Sequence, residues 1–147
     1  MIDRSLQDEW GGIDKKMKSS VLGLNQHGIE TTGSCEGNAA PCPWIMLKSV
    51  HSNIRDKANQ LLDRFYSNRK VSDEIRIKIF PVDSRFYIYS GKRETFSAWR
   101  RSVNETAEII ARGEIPKSRK DQVSPSEYQN EFQEFGEFLL SNESRAL

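Results

Sequence analysis

The pattern of apolar residues along this 147-residue chain predicts a single α+β domain: a mainly antiparallel sheet with helices packed on one face. Three observations lead there. Apolar residues recur at helical spacing in four separate stretches, short apolar or alternating runs occur in two pairs, and each pair lies between helices. The expected order is α-β-β-α-β-β-α-α. The chain 1–147 reads as one unit, with a core over 11–113, a charged linker over 114–123 and a C-terminal capping helix over 124–141.

Ile13, Met17, Val21 and Leu24 make one stripe that Gly28 closes, so the first helix is expected over Ile13–His27. Glu30–Ser34 is a short strand, and the Gly/Pro-rich loop Gly37–Pro43 leads to a second strand, "WIML". Ser52 or Asn53 is placed to cap a helix that carries Ile54, Ala58, Leu61, Leu62 and Phe65 on one face. The polar connector "YSNRKVSD" follows. In "EIRIKIF", Ile75, Ile77 and Ile79 alternate with Arg76 and Lys78, as in a half-buried strand. Pro81 is expected to stop that strand and "VDS" to turn the chain. "RFYIYS" then returns as the hairpin partner, with Phe86 and Ile88 alternating against Tyr87 and Tyr89. Phe96, Trp99, Val103, Ala107 and Ile110 mark a third helix, ended by Gly113 and Pro116. The last helix has Ser124 at its N-cap, Pro125 at the first helical position, Glu127 completing a capping box, and a stripe of Tyr128, Phe132, Phe135 and Leu139. It is expected to cover a sheet edge or to lie over the third helix.

Composition narrows the function. A chain that is 36% hydrophobic and 29% charged suits a soluble domain with a modest core. A net charge of +1 sets up no global field to recruit DNA or an anionic membrane. No apolar run is long enough to span a bilayer, and "MIDRSLQDEW" has no apolar signal region. A cytoplasmic location without a membrane partner is therefore expected. In that compartment Cys35 and Cys42 are expected as free thiols rather than a disulfide.

One stretch stands apart, "TTGSCEGNAAPCPW" from Thr31 to Trp44. Gly33 and Gly37 flank Ser34-Cys35-Glu36, and Asn38 lies just beyond. Glycine lets a ligand come close to the backbone, and successive N–H groups in a turn suit an anion. Thr32, Ser34, Cys35, Glu36, Gly37 and Asn38 are thus candidate ligand-binding residues, with Trp44 as a wall. The plainer reading is a tight turn with Cys35 packed as a small hydrophobe. As a nucleophile, Cys35 would need a neighbouring base, and the sequence assigns it none.

Arg76, Lys78 and Arg85 on the hairpin, then Lys92, Arg93, Arg100 and Arg101, are interleaved with Tyr87 and Tyr89. Cations among aromatics suit a nucleotide or RNA, so Arg76, Tyr87 and Tyr89 join the candidates. A solvated sheet face is the alternative, and Trp99 reads most simply as core. His27, Cys35, Cys42 and His51 could supply four zinc ligands, but seven, six and eight residues separate them and no Cys-x-x-Cys is present. No metal is expected.

The stretch also carries two resemblances. Gly12, Ile13, Asp14, Leu24 and Asn25, then Thr31, Thr32, Ser34, Cys35 and Gly37, follow in order the G-S-[IV]-D…LN and T-T-S-S-C-x-G-R motifs. This resembles the tRNA wybutosine-synthesis methyltransferase family over roughly the N-terminal two-thirds, and "WIMLKS" and "IRIKIF…RFYIY" look like that family's later elements. The resemblance implies methyl transfer with S-adenosylmethionine. Gly33 stands where that family has a second Ser, and Asn38 where it has an Arg that would anchor a carboxylate or phosphate. These departures argue against S-adenosylmethionine.

Nearly the whole chain is also similar to small uncharacterised bacterial and phage proteins. Those carry an S-C-E-G-H-type motif and end in an acidic-aromatic helix like "YQNEFQEFGEFL"; Asn38 replaces their His. The expected function is binding of a small polar nucleotide-like ligand, by a methyl- or group-transfer enzyme or by a non-catalytic sequestering module. A zinc-stabilised interaction domain is the third reading.

Overall fold

The computed structural model describes residues 16–37, 40–113 and 124–141. Among them the chain forms helices α1 (Lys18–Gln26), α2 (Ser52–Phe65), α3 (Arg93–Ala111) and α4 (Ser126–Leu140), and strands β1 (Thr31–Cys35), β2 (Trp44–Leu47), β3 (Ile77–Val82) and β4 (Arg85–Ser90). The expected α+β class and element order are both present. The strands pair antiparallel throughout, in the order β1-β2-β4-β3. The expected start of the first helix, Asn38 and the linker 114–123 lie outside the described residues. No described helix is long and apolar enough to cross a membrane.

Alternation along the strands decides what each face of the sheet buries. Ile45, Leu47, Ile77 and Ile88 share a core with Met17, Val21 and Leu24 of the α1 segment, Ala58, Leu61, Leu62 and Phe65 of α2, and Phe132, Phe135 and Leu139 of α4. One-face packing thus holds for three helices. The fourth, α3, covers the other face, where Phe96 and Trp99 meet Tyr87, Tyr89, Val82, Trp44, Met46 and Phe80. The reason lies in β2 and β4. "WIML" and "YIY" are apolar at consecutive positions, so both faces of the two central strands need cover.

The last helix lies along the first, not over the third. Ser20 donates its hydroxyl to the Phe132 carbonyl, and His27 Nε2 donates to the Leu139 carbonyl at 3.0 Å. A Cβ on Gly136 would overlap the backbone of Ser19 and Ser20, so glycine is what allows the two helices to meet this closely.

Local signals were read less well. β3 continues through Pro81 to Val82, because an edge strand can spare one ladder N–H. The hairpin turn is Asp83-Ser84, both at positive φ (49° and 67°), as a two-residue connection requires. Ile75 and Arg76 precede the strand, in a turn where both N–H groups donate to the Ser72 carbonyl. Helix α2 starts at Ser52 with His51 at its N-cap, and α4 starts at Ser126 with Pro125 at its N-cap; neither has a side-chain cap.

Candidate functional site

The sheet order brings together two regions that are far apart in the sequence. Cys35 lies opposite Trp44, Trp44 opposite Tyr89, and Tyr89 opposite Lys78. The next row runs Gly33, Met46, Tyr87, Phe80. Side chains in such rows share a face, so the end of the glycine-flanked strand and the tyrosines of the hairpin look onto the side covered by α3.

That side is an aromatic cluster. Tyr89 stacks on Phe96 with centroids 4.5 Å apart, and Trp44 meets Tyr87 edge-on at 5.9 Å and Trp99 at 6.4 Å. Arg100 enters from α3. Its guanidinium lies 4.7 Å from the Trp44 ring, 5.0 Å from Tyr87 and 5.8 Å from Trp99, and its Nε donates to Tyr87 Oη at 3.1 Å. Trp44 Nε1 and Trp99 Nε1 are buried and have no hydrogen-bond partner among the described residues. Such groups are uncommon in folded proteins. Arg93 is the polar side chain that reaches the buried Tyr89 hydroxyl. Burial holds the Tyr89 hydroxyl above its ordinary range, with Arg93 pulling the other way.

The turn is tied to the start of α4. Gln129 Nε2 donates to the Glu36 carbonyl at 2.7 Å, and the Ser124 N–H donates to the Gly37 carbonyl at 3.0 Å. Ser124 Oγ donates to the Ala40 carbonyl at 3.1 Å, which is why it does not cap the helix as expected. Lys16 Nζ in turn holds Gln129 Oε1 at 3.0 Å. The Gly37 N–H points back to Cys35 Sγ at 3.3 Å.

Among the individual candidates, Thr32 is exposed beside an irregularity in the β1 ladder, and Ser34, Cys35 and Glu36 are half-buried. Gly37 is buried, and Asn38 lies outside the described residues. Trp44, Tyr87 and Tyr89 meet in the cluster. Arg76 does not join them: its guanidinium stacks 4.1 Å above the Tyr66 ring, and Tyr66 belongs to the opposite core. Nor does Gly33 leave a gap for a ligand, since the space beside it is taken by the Trp44 ring and the tip of Met46. Trp99 and Arg100 escaped selection as site residues. The available signal was their spacing, with Phe96, Trp99 and Arg100 at i, i+3 and i+4 on one helix face.

A second polar group borders the same face. Lys78 Nζ donates to the carbonyls of Arg76 and Gly91 at 2.9 and 3.0 Å, and burial lowers its pKa. Cys42 is buried beside Gly91, and desolvation pushes its thiol up to about 12, so it stays protonated near neutral pH. Tyr128 donates its hydroxyl to the Glu74 carboxylate, and Lys92 lies 3.7 Å from that group. Both cysteines are free thiols. His27 is bound to Leu139, and His51 is exposed at the start of α2. Among the described residues no three His, Cys, Asp or Glu side chains are gathered as a metal would need, His27, Cys35, Cys42 and His51 included. Two open grooves, of about 630 Å³ beside Phe65 and Phe138 and about 460 Å³ beside His51 and Ile54, are not lined by the ligand-binding candidates.

No family model matches the chain, and no curated protein or solved structure gives a significant match.

Proposed function

We propose that the protein binds a small, polar, nucleotide-like ligand on the α3 side of the sheet, next to the Ser34–Gly37 turn. One observation carries this reading. The buried polar groups without partners, Trp44 Nε1 and Trp99 Nε1, belong to one aromatic cluster. Each such group costs about 1–3 kcal/mol when left unpaired. A planar ligand bearing acceptors would satisfy them and stack on the indoles, at about 1–3 kcal/mol per stacked base.

Titration of the intrinsic tryptophan fluorescence with nucleosides, nucleotides, S-adenosylmethionine and short RNA tests the reading. A saturable change that Trp44→Phe weakens is expected. No change with any of them would overturn it.

Binding without turnover is the favoured form. Cys42 is held protonated and Lys78 is engaged by backbone carbonyls, so neither is poised to act on a ligand. The methyl- or group-transfer form rests on the family resemblance. Mass spectrometry of the ligand after incubation separates the two: unchanged ligand supports sequestration, and a modified ligand supports transfer.

A further inference from the structure

Resting on that reading, we infer that Arg100 is its specificity-determining residue, selecting a phosphorylated ligand, the nucleotide rather than the nucleoside. The cluster offers donors. An indole N–H donates only, and a guanidinium has five N–H donors and no acceptor. Arg100 commits its Nε to Tyr87 and has no carboxylate partner among the described residues. It is half-buried, with three aromatic rings within 6 Å, where water competes poorly for its charge. The same face carries two more cations, Lys78 at 5.4 Å from the Tyr89 ring and Arg93 at 4.7 Å from the Phe80 ring. Glu74, at the rim, is already engaged by Tyr128 and Lys92. Unpaired donors and positive charge call for an acceptor-rich anion, and a guanidinium matches a phosphate with two parallel N–H···O bonds. The Nε bond to Tyr87 and the surrounding rings hold the guanidinium in place for that contact. The flat part of the ligand then lies on the indoles.

The test compares the four ribonucleosides with their 5′-monophosphates on the full chain, by calorimetry. The best monophosphate should bind at least about tenfold tighter than its nucleoside, the scale of one charge-assisted hydrogen bond. Arg100→Gln should cost the monophosphate at least about tenfold more affinity than it costs the nucleoside, so that the difference vanishes, and Arg100→Lys, a point charge without the fork, should restore only part of it. Should Arg100→Gln fail to fold, Arg100→Lys decides the question: a larger loss for the monophosphate than for the nucleoside supports the inference, and an equal change in both, or none, overturns it. Equal affinity of the wild type for nucleoside and monophosphate, or a phosphate preference that survives Arg100→Gln, overturns the role of Arg100 and leaves the nucleotide-site reading standing. Binding of neither class overturns both.

Discussion

Gly33 and Gly37 look alike in the sequence and differ in what holds them. Gly37 sits at φ 101°, and a Cβ there would overlap the Cβ and hydroxyl of Ser124. Gly37→Ala is therefore expected to cost at least about 1–3 kcal/mol, from the left-handed backbone alone. A Cβ on Gly33 would meet the Trp44 ring at 3.7 Å, an ordinary contact, so Gly33→Ala should stay within about 0.5 kcal/mol. Urea denaturation of the two variants checks this, and equal losses would refute the distinction. The residue names were legible, but the backbone angle and the neighbour that separate them come from tertiary contacts. Cys42 offers a second test at this scale. Its thiol is raised from 9.0 to about 12 by burial, so the folded state holds the proton more tightly than the unfolded chain. That stabilisation is complete below about pH 9 and is lost as pH climbs towards 12. Cys42→Ala should flatten the alkaline fall in urea midpoint relative to wild type. In native protein near pH 8, iodoacetamide should label half-buried Cys35 before Cys42. An unchanged slope and equal labelling would mean that Cys42 is not shielded as described.

At the scale of elements, periodicity made all four helices and the β3–β4 hairpin legible, because each needs a stripe or an alternation to bury, while β1 shows neither and was read from its place before the Gly/Pro-rich loop. It did not separate the faces, since "WIML" and "YIY" are apolar on both sides. The cap signals at Ser124, Pro125 and Glu127 put the start of α4 one residue early, because the hold of the Gly37 and Ala40 carbonyls on Ser124 has no local signature. Helix α2 was placed correctly against the sheet: Leu61 is buried in the main core, and Leu61→Ala should cost about 2–5 kcal/mol in a denaturant melt. Helix α4 is pinned by a charge that the sequence did not advertise. Glu131 is 2% exposed, accepts from Tyr66 Oη at 2.6 Å, and takes Arg69 through both oxygens at 2.5 and 3.1 Å. Tyr66 in turn accepts the Ile77 N–H at 2.7 Å, which links α4 to the start of β3. Arg69→Ala should strand that carboxylate and cost about 3 kcal/mol, the low end for a broken buried pair, because Arg69 itself is a third exposed. Adding Glu131→Gln should recover part of the loss. A double variant no more stable than Arg69→Ala would show that the buried charge is not what the single variant pays.

For the molecule as a whole, the last helix is the element on which core and site both depend. Phe132, Phe135 and Leu139 share one core with Met17, Val21 and Leu24, so the chain's last described helix packs with its first. The same helix holds the turn, through Gln129 on Glu36 and Ser124 on Gly37 and Ala40. The glycine-flanked turn was legible in "TTGSCEGN" as a candidate, yet its tether was not, because Gln129 lies on a helix whose only visible purpose was its apolar stripe. Two variants separate the two duties of α4. A chain ending at residue 123 exposes the α1 stripe and should lose its cooperative thermal transition by circular dichroism; a transition like that of the intact chain would remove α4 from the core. Gln129→Ala should keep the apolar contacts and the transition, with a loss of about 1 kcal/mol for each of its two hydrogen bonds, to Glu36 and from Lys16. It removes the Gln129 bond to the Glu36 carbonyl and loosens the strand end that borders Trp44 through Cys35. Nucleotide binding should therefore weaken severalfold in Gln129→Ala while the chain stays folded. Unchanged binding would mean that the turn's geometry does not matter to the ligand, and the site would shrink to the aromatic cluster under α3.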